Sequence, residues 1–161
     1  MKKPALCILM FLFVLLFSGC KDLPPAEINP HIDSSFKAKM GELDLKGLII
    51  YTEDKEMYLD ISTPDELYGL SYSWTDTFTV GYRGLNAVTE SDYLPPSSFA
   101  QAIKNTLDDI ILSKPDLVID AKGTFTATGK SKSGRYEVFT DREGNVAKIN
   151  LPEADITMVI N

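Results

Sequence analysis

The chain predicts an α+β fold: a strongly curved antiparallel sheet, a half-barrel of about nine strands, with one main helix packed on its concave face. Three observations predict it. Beyond residue 35, apolar and polar residues alternate through most of the chain, the period of half-buried strands. One segment, 99–112, changes to three- and four-residue spacing, the period of a helix. Strands also stand in groups before and after that helix, an order that suits antiparallel pairing.

Taken in order, FKAKM (36–40) puts Phe36, Ala38 and Met40 on one face and lysines on the other. LDLKGLIIY (43–51) is apolar on both parities and reads as a more central strand. MYLDI (57–61) alternates again after the polar turn Glu53-Asp54-Lys55, and Pro64-Asp65-Glu66 breaks the pattern. Leu70, Tyr72 and Trp74 alternate with serines, Thr75-Asp76-Thr77 turns the chain, and Phe78, Val80 and Tyr82 return it. Two aromatic-rich strands about a short polar turn predict a hairpin.

Pro95-Pro96-Ser97-Ser98 then precedes FAQAIKNTLDDIIL, so Ser97 or Ser98 is placed to cap a helix. Phe99, Ala102, Ile103, Leu107, Ile110 and Ile111 form its apolar stripe, and Lys114-Pro115 ends it. The strand period resumes in GTFTAT (123–128), RYEVFT (135–140), VAKINL (146–151) and DITMVI (155–160). Ser133-Gly134 and Asp141–Asn145 supply the turns.

The N-terminus has a different logic. Met1-Lys2-Lys3 leads into 13 unbroken apolar residues, Ala5 to Phe17, followed by Ser18-Gly19-Cys20. A positive start, an apolar core and small residues before a cut are the parts of a secretory signal. Thirteen helical residues rise about 20 Å, short of the roughly 30 Å hydrocarbon layer, so a permanent span is the weaker reading. Phe17-Ser18-Gly19-Cys20 resembles the lipobox of bacterial prolipoproteins, with Phe17 where the family prefers leucine. The resemblance implies a signal peptide over 1–19, cleavage between Gly19 and Cys20, and lipidation of Cys20 by a diacylglycerol and an acyl group. It implies a lipid-anchored protein of the cell membrane or outer membrane whose domain faces the extracytoplasmic side. Lys21 after the lipidated cysteine is, by the same resemblance, no inner-membrane retention signal. Residues 20–34, with three prolines after Cys20, read as a lipidated tether, and 35–161 as a single domain.

Composition narrows the function. With Cys7 in the signal and Cys20 acylated, neither of the two cysteines is left for a disulfide or a thiol catalyst. The net charge is −7; loss of Lys2 and Lys3 from 16 basic residues leaves 14 against 23 acidic ones, or −9. Such a domain repels nucleic acid, which is set aside as a partner. The single histidine, His31, falls in the tether, so neither a Ser-His-Asp relay nor a multi-histidine zinc site can be assembled in the domain. No phosphate-cradling glycine motif occurs. The acidic pairs Glu53-Asp54, Asp65-Glu66, Asp108-Asp109 and Asp141 with Glu143 fall in turns or on the polar side of the helix, where solvated charge is the ordinary explanation. Asp141–Asn145 lacks the alternating ligands of a calcium loop and reads as a turn. No catalytic residue, metal or cofactor is therefore assigned, and the protein is read as a non-enzyme.

The aromatic set Tyr51, Tyr58, Tyr72, Trp74, Phe78 and Tyr82 is the one candidate for ligand binding. Amphipathic rings suit a lipid groove, a sugar platform or a protein contact; they also suit an ordinary core, the more frequent case. The meander 36–82 with Pro64–Leu70, the helix, and the closing hairpin about Asp141–Asn145 resemble the LolA and LolB lipoprotein-carrier group and small LolA-like lipoproteins. That resemblance implies a curved sheet that holds an apolar or lipid ligand, an acyl chain or another lipoprotein. Two other readings stand beside it: a protein-interaction or structural envelope lipoprotein with a filled core, and a carboxylate-based hydrolase. The lipid-binding reading requires an apolar cavity between helix and sheet; a packed interior favours the protein-interaction reading.

Overall fold

A computed structural model describes residues 27–89, 94–119 and 124–161. The predicted signal peptide, Gly19, Cys20 and the tether to residue 26 lie outside the described residues. The first strands are β1 (Ile32–Met40), β2 (Leu43–Tyr51), β3 (Met57–Thr63), β4 (Leu70–Trp74), β5 (Phe78–Tyr82) and β6 (Leu85–Thr89). Helix α1 (Phe99–Ser113) follows. After it come β7 (Val118–Ile119), β8 (Phe125–Ser131), β9 (Gly134–Thr140), β10 (Val146–Leu151) and β11 (Ile156–Ile160).

All eleven strands form one antiparallel sheet in the order β6-β5-β4-β3-β2-β1-β11-β10-β9-β8-β7. β1 lies between β2 and β11, with Phe36 opposite Gly47 on one side and Ile160 on the other. The last strand thus joins the two strand groups that the helix separates in sequence. The helix in turn stands in sequence between the two edge strands, β6 and β7.

This corrects the predicted fold class. The half-barrel of about nine strands is overturned by a sheet-rich architecture, a single eleven-stranded sheet that does not close. The two missed strands lack the signal that revealed the others. β6 is exposed at four of its five positions, so no burial alternation marks it, and only the backbone ladder with β5 defines it. β7 is two residues long. Side-chain period reports which face is buried; it does not report how many strands an edge adds or how strongly the sheet bends. The first strand also begins at Ile32, which is buried, rather than at Phe36.

The helix keeps its predicted span, but its start differs in detail. Ser98 occupies the N-cap position without a side-chain bond to the helix; its Oγ instead donates to the Pro95 carbonyl at 2.8 Å. Lys114 ends the helix in the left-handed region, its N–H donating to the Ile110 carbonyl at 3.0 Å, and Pro115 prevents continuation.

The core fills the space between α1 and the sheet. Ala102, Ile103 and Leu107 from the helix are sealed against Ile49, Leu59, Val138 and Ile149, all at 0 % exposure. Gly47 has a specific role here: a Cβ at this position would collide with the Asp60 carbonyl and the Phe36 ring. The missing side chain at the β2 register shift leaves room for the Phe36 ring, which meets Phe99 of the helix in a tilted pair, centroids 5.8 Å apart.

Candidate functional site

Strand alternation puts Tyr72, Trp74, Phe78 and Tyr82 on one side of the β4–β5 hairpin, with Trp74 opposite Phe78 and Leu70 opposite Tyr82. The structure groups three of them into one cluster. Trp74 and Phe78 centroids are 4.6 Å apart, Tyr72 and Trp74 6.1 Å, Tyr72 and Phe78 6.5 Å. Phe78 is fully buried, Trp74 nearly so and Tyr72 half-buried. The Trp74 indole Nε1 is buried without a hydrogen-bond partner. Tyr82 lies at the rim, its hydroxyl donating to the Glu66 carbonyl at 2.9 Å and Arg83 standing 5.0 Å over its ring. Tyr58 points the other way, outward, beside Ile50 in the β2–β3 register and near Leu48. The six rings are therefore not one surface: most seal the interior, and Tyr58 belongs to an outward apolar cluster with Leu48 (53 % exposed) and Ile50 (40 %).

Tyr51 leads to the residues that sequence reading missed. Its ring is at 0 % exposure, and its hydroxyl donates to Asp108 Oδ1 at 2.7 Å. Lys104 Nζ, one helical turn earlier, lies 2.6 Å from both Asp108 oxygens and 5.9 Å from the Tyr51 ring centroid. The adjacent Asp109 accepts the Tyr136 hydroxyl at 2.8 Å and that of Ser113 at 3.1 Å. Read as solvated helix charge, Asp108 and Asp109 instead pin α1 to β2 and β9. The signal was present in part. Lys104 and Asp108 stand at i, i+4, and each carboxylate adjoins the apolar stripe; only the fold supplies two tyrosines at the right height.

Burial, with the Asp108 hydrogen bond and charge, pushes the Tyr51 hydroxyl far above its ordinary range. Burial first, then the bond to Asp109, pushes Tyr136 up to about 12, against an opposing effect of Ser113. Between about pH 10, where an unfolded tyrosine ionises, and about 12, the unfolded chain binds fewer protons than the folded one. Stability is thus full below pH 10 and falls as pH rises through this window. The urea midpoint of a Tyr136→Phe variant is expected to fall less steeply between pH 9 and 11 than that of the unaltered chain; parallel profiles would dissociate Tyr136 from the effect.

A cleft of about 1020 Å³ opens at the C-terminal end of α1 rather than beneath it. Ile28, Ile111 and Leu117 contribute apolar walls, and Glu27, Glu53 and Asp116 add carboxylates. Residues 27–30 cross this end of the domain as a strap. Asn29 donates its N–H to the Gly144 carbonyl and its Nδ2 to Asn145 Oδ1, both at 2.9 Å, while Lys114 meets Glu27 at 3.5 Å. The Asp141–Asn145 turn that receives the strap is self-sufficient. Asp141 accepts the backbone N–H groups of Glu143 and Asn145 and the Asn145 amide, which outweigh partial desolvation and hold its carboxyl below the ordinary range. His31 is exposed, and its backbone N–H donates to Asn29 Oδ1 at 3.1 Å. Among the described residues, no group of three or more His, Cys, Asp or Glu is placed to hold a metal ion, and no helix is long and apolar enough to cross a membrane.

Comparison with known proteins finds no matching family model, no matching curated protein and no matching solved structure.

Proposed function

We propose that this chain is a lipid-anchored, non-catalytic envelope protein that acts through protein contact at the membrane surface. The anchor rests on the sequence alone: the apolar run followed by Ser18-Gly19-Cys20. The contact reading rests on the division of the aromatic set. Rings that could have lined a ligand groove are packed into a core with Ile49, Leu59 and Ile103, whereas Leu48, Ile50 and Tyr58 stay outside on the opposite face. Buried rings have no free surface to offer a ligand, and clustered exposed apolar side chains on a rigid sheet are what a partner covers.

Mass spectrometry of the N-terminal peptide should show diacylglycerol on Cys20 and no residues 1–19, and Cys20→Ser should remove the lipid. An unaltered chain whose Cys20 carries no diacylglycerol would overturn the anchor. For the domain, the chain from residue 21 carries every described residue, and native mass spectrometry after gentle purification should give its bare mass. A stoichiometric lipid adduct would overturn the contact reading.

The cleft of about 1020 Å³ favours a second reading, in which a small ligand sits at the helix end behind the strap. Its walls mix carboxylates with aliphatic groups, which suits an amphipathic molecule better than an acyl chain.

A further inference from the structure

An open sheet leaves two edges, and this one guards them unequally. β7 is only two residues long and follows Pro115 and Asp116, so it offers little ladder to extend. β6 offers a full strand, Leu85-Asn86-Ala87-Val88-Thr89, regularly paired with β5 on one side. It contains no charge, no proline and no register shift, the usual devices against edge pairing. Leu85 is 76 % exposed and Val88 66 %, among the most exposed large apolar residues described.

The backbone accounting shows what is unpaired. Arg83 and Gly84, both at positive φ, form a two-residue turn that sets Tyr82 opposite Leu85. In such a hairpin the pairs Tyr82–Leu85, Val80–Ala87 and Phe78–Thr89 exchange hydrogen bonds, and the residues between them face away. The N–H and C=O groups of Asn86 and Val88 therefore point out from the sheet edge.

We propose that two copies of this chain associate through β6, antiparallel across a two-fold axis centred on Ala87, joining two eleven-stranded sheets into one. In this register Asn86 of each copy faces Val88 of the other, and the two pairs exchange four backbone hydrogen bonds. Leu85 faces Thr89 of the second copy on one face of the joined sheet. No charged side chain lies on the strand, so the copies meet here without like charges in opposition although the chain carries −7. One five-residue strand from each side buries less than the roughly 1,200 Å² of a standard interface, so the pairing is weak and exchanging. The same strand complementarity would serve an extended peptide of another protein. The second copy is favoured because its own β6 is already an ordered, uncharged strand held by β5, so pairing costs no further ordering of chain. The inference is independent of the lipid anchor.

The chain from residue 21 contains no cysteine, so single substitutions report position cleanly. Ala87→Cys should form a disulfide-linked dimer under mild oxidation, because its two copies face each other as a non-hydrogen-bonded pair about 4.5 Å apart at Cα. Asn86→Cys, which faces Val88, should cross-link several-fold more slowly. Adding Val88→Lys to Ala87→Cys should suppress the dimer. Analytical ultracentrifugation of the unaltered chain at high concentration should show reversible dimerisation that Val88→Lys abolishes. Equal cross-linking at positions 86 and 87, or a chain that stays monomeric at every concentration, would overturn the proposal. A monomer that nonetheless binds an extended peptide at β6 would overturn it in favour of a heterologous partner.

Discussion

Replacing Asp108 with alanine is expected to cost about 3 kcal/mol of folding stability, the scale for breaking a buried ion pair from one side. The carboxylate serves two partners that have little access to water: Tyr51 at 0 % exposure and Lys104 at 7 %. Its removal leaves an ammonium group buried without a counter-charge and a hydroxyl without an acceptor. Tyr51→Phe is the informative companion. It removes one hydroxyl and leaves the Lys104–Asp108 pair intact, so it should cost only about 1 kcal/mol. Urea unfolding of both variants checks the difference. An Asp108→Ala loss no larger than that of Tyr51→Phe would mean that Lys104 finds water, and that the network is a surface feature after all.

Phe78→Ala is expected to cost about 4 kcal/mol, the range for emptying a packed aromatic site. The ring is at 0 % exposure and packs at a tilt with its centroid 4.6 Å from that of Trp74, so its loss removes both burial and contacts, and the cavity left has strand walls. The same substitution in an open ligand groove would cost far less, because truncation at a wetted surface leaves no void. The measurement thus bears on function as well as stability. A loss below about 1 kcal/mol would place Phe78 on accessible surface and return the aromatic hairpin to the candidates for ligand binding. The chain's one tryptophan, Trp74, sits against this ring, so fluorescence reports the site's integrity in the folded variant.

Both variants act where sequence reading was strongest and weakest. The hairpin was legible because alternation over Leu70–Trp74 and Phe78–Tyr82 sets a face, and the polar Thr75-Asp76-Thr77 sets the turn. Whether that face met water or protein was not legible, since amphipathic rings satisfy both. Tyr58 was misgrouped despite a legible signal: in MYLDI it shares its parity with Asp60, opposite Met57, Leu59 and Ile61, and the β2–β3 register sets it beside the outward Ile50. Asp108 and Asp109 were misread for a different reason. A carboxylate beside an apolar stripe is solvated or bonded depending on what stands opposite, and Tyr51 and Tyr136 are respectively 57 and 27 residues away.

By itself the sequence determined the local terms. These are the strand periods, the helix span with its proline-terminated end, and the apolar run ending at Cys20 on which the proposed anchor rests. Each depends on neighbours within a few residues, where propensity and side-chain spacing act directly. Tertiary packing settled that the eleven described strands share one open sheet, that Tyr51, Trp74 and Phe78 are core, and that two tyrosines claim the helix carboxylates. It alone left one edge strand unguarded. Those outcomes depend on backbone pairing and burial between residues far apart in the chain, and side-chain pattern carries no record of which distant strand supplies the partner.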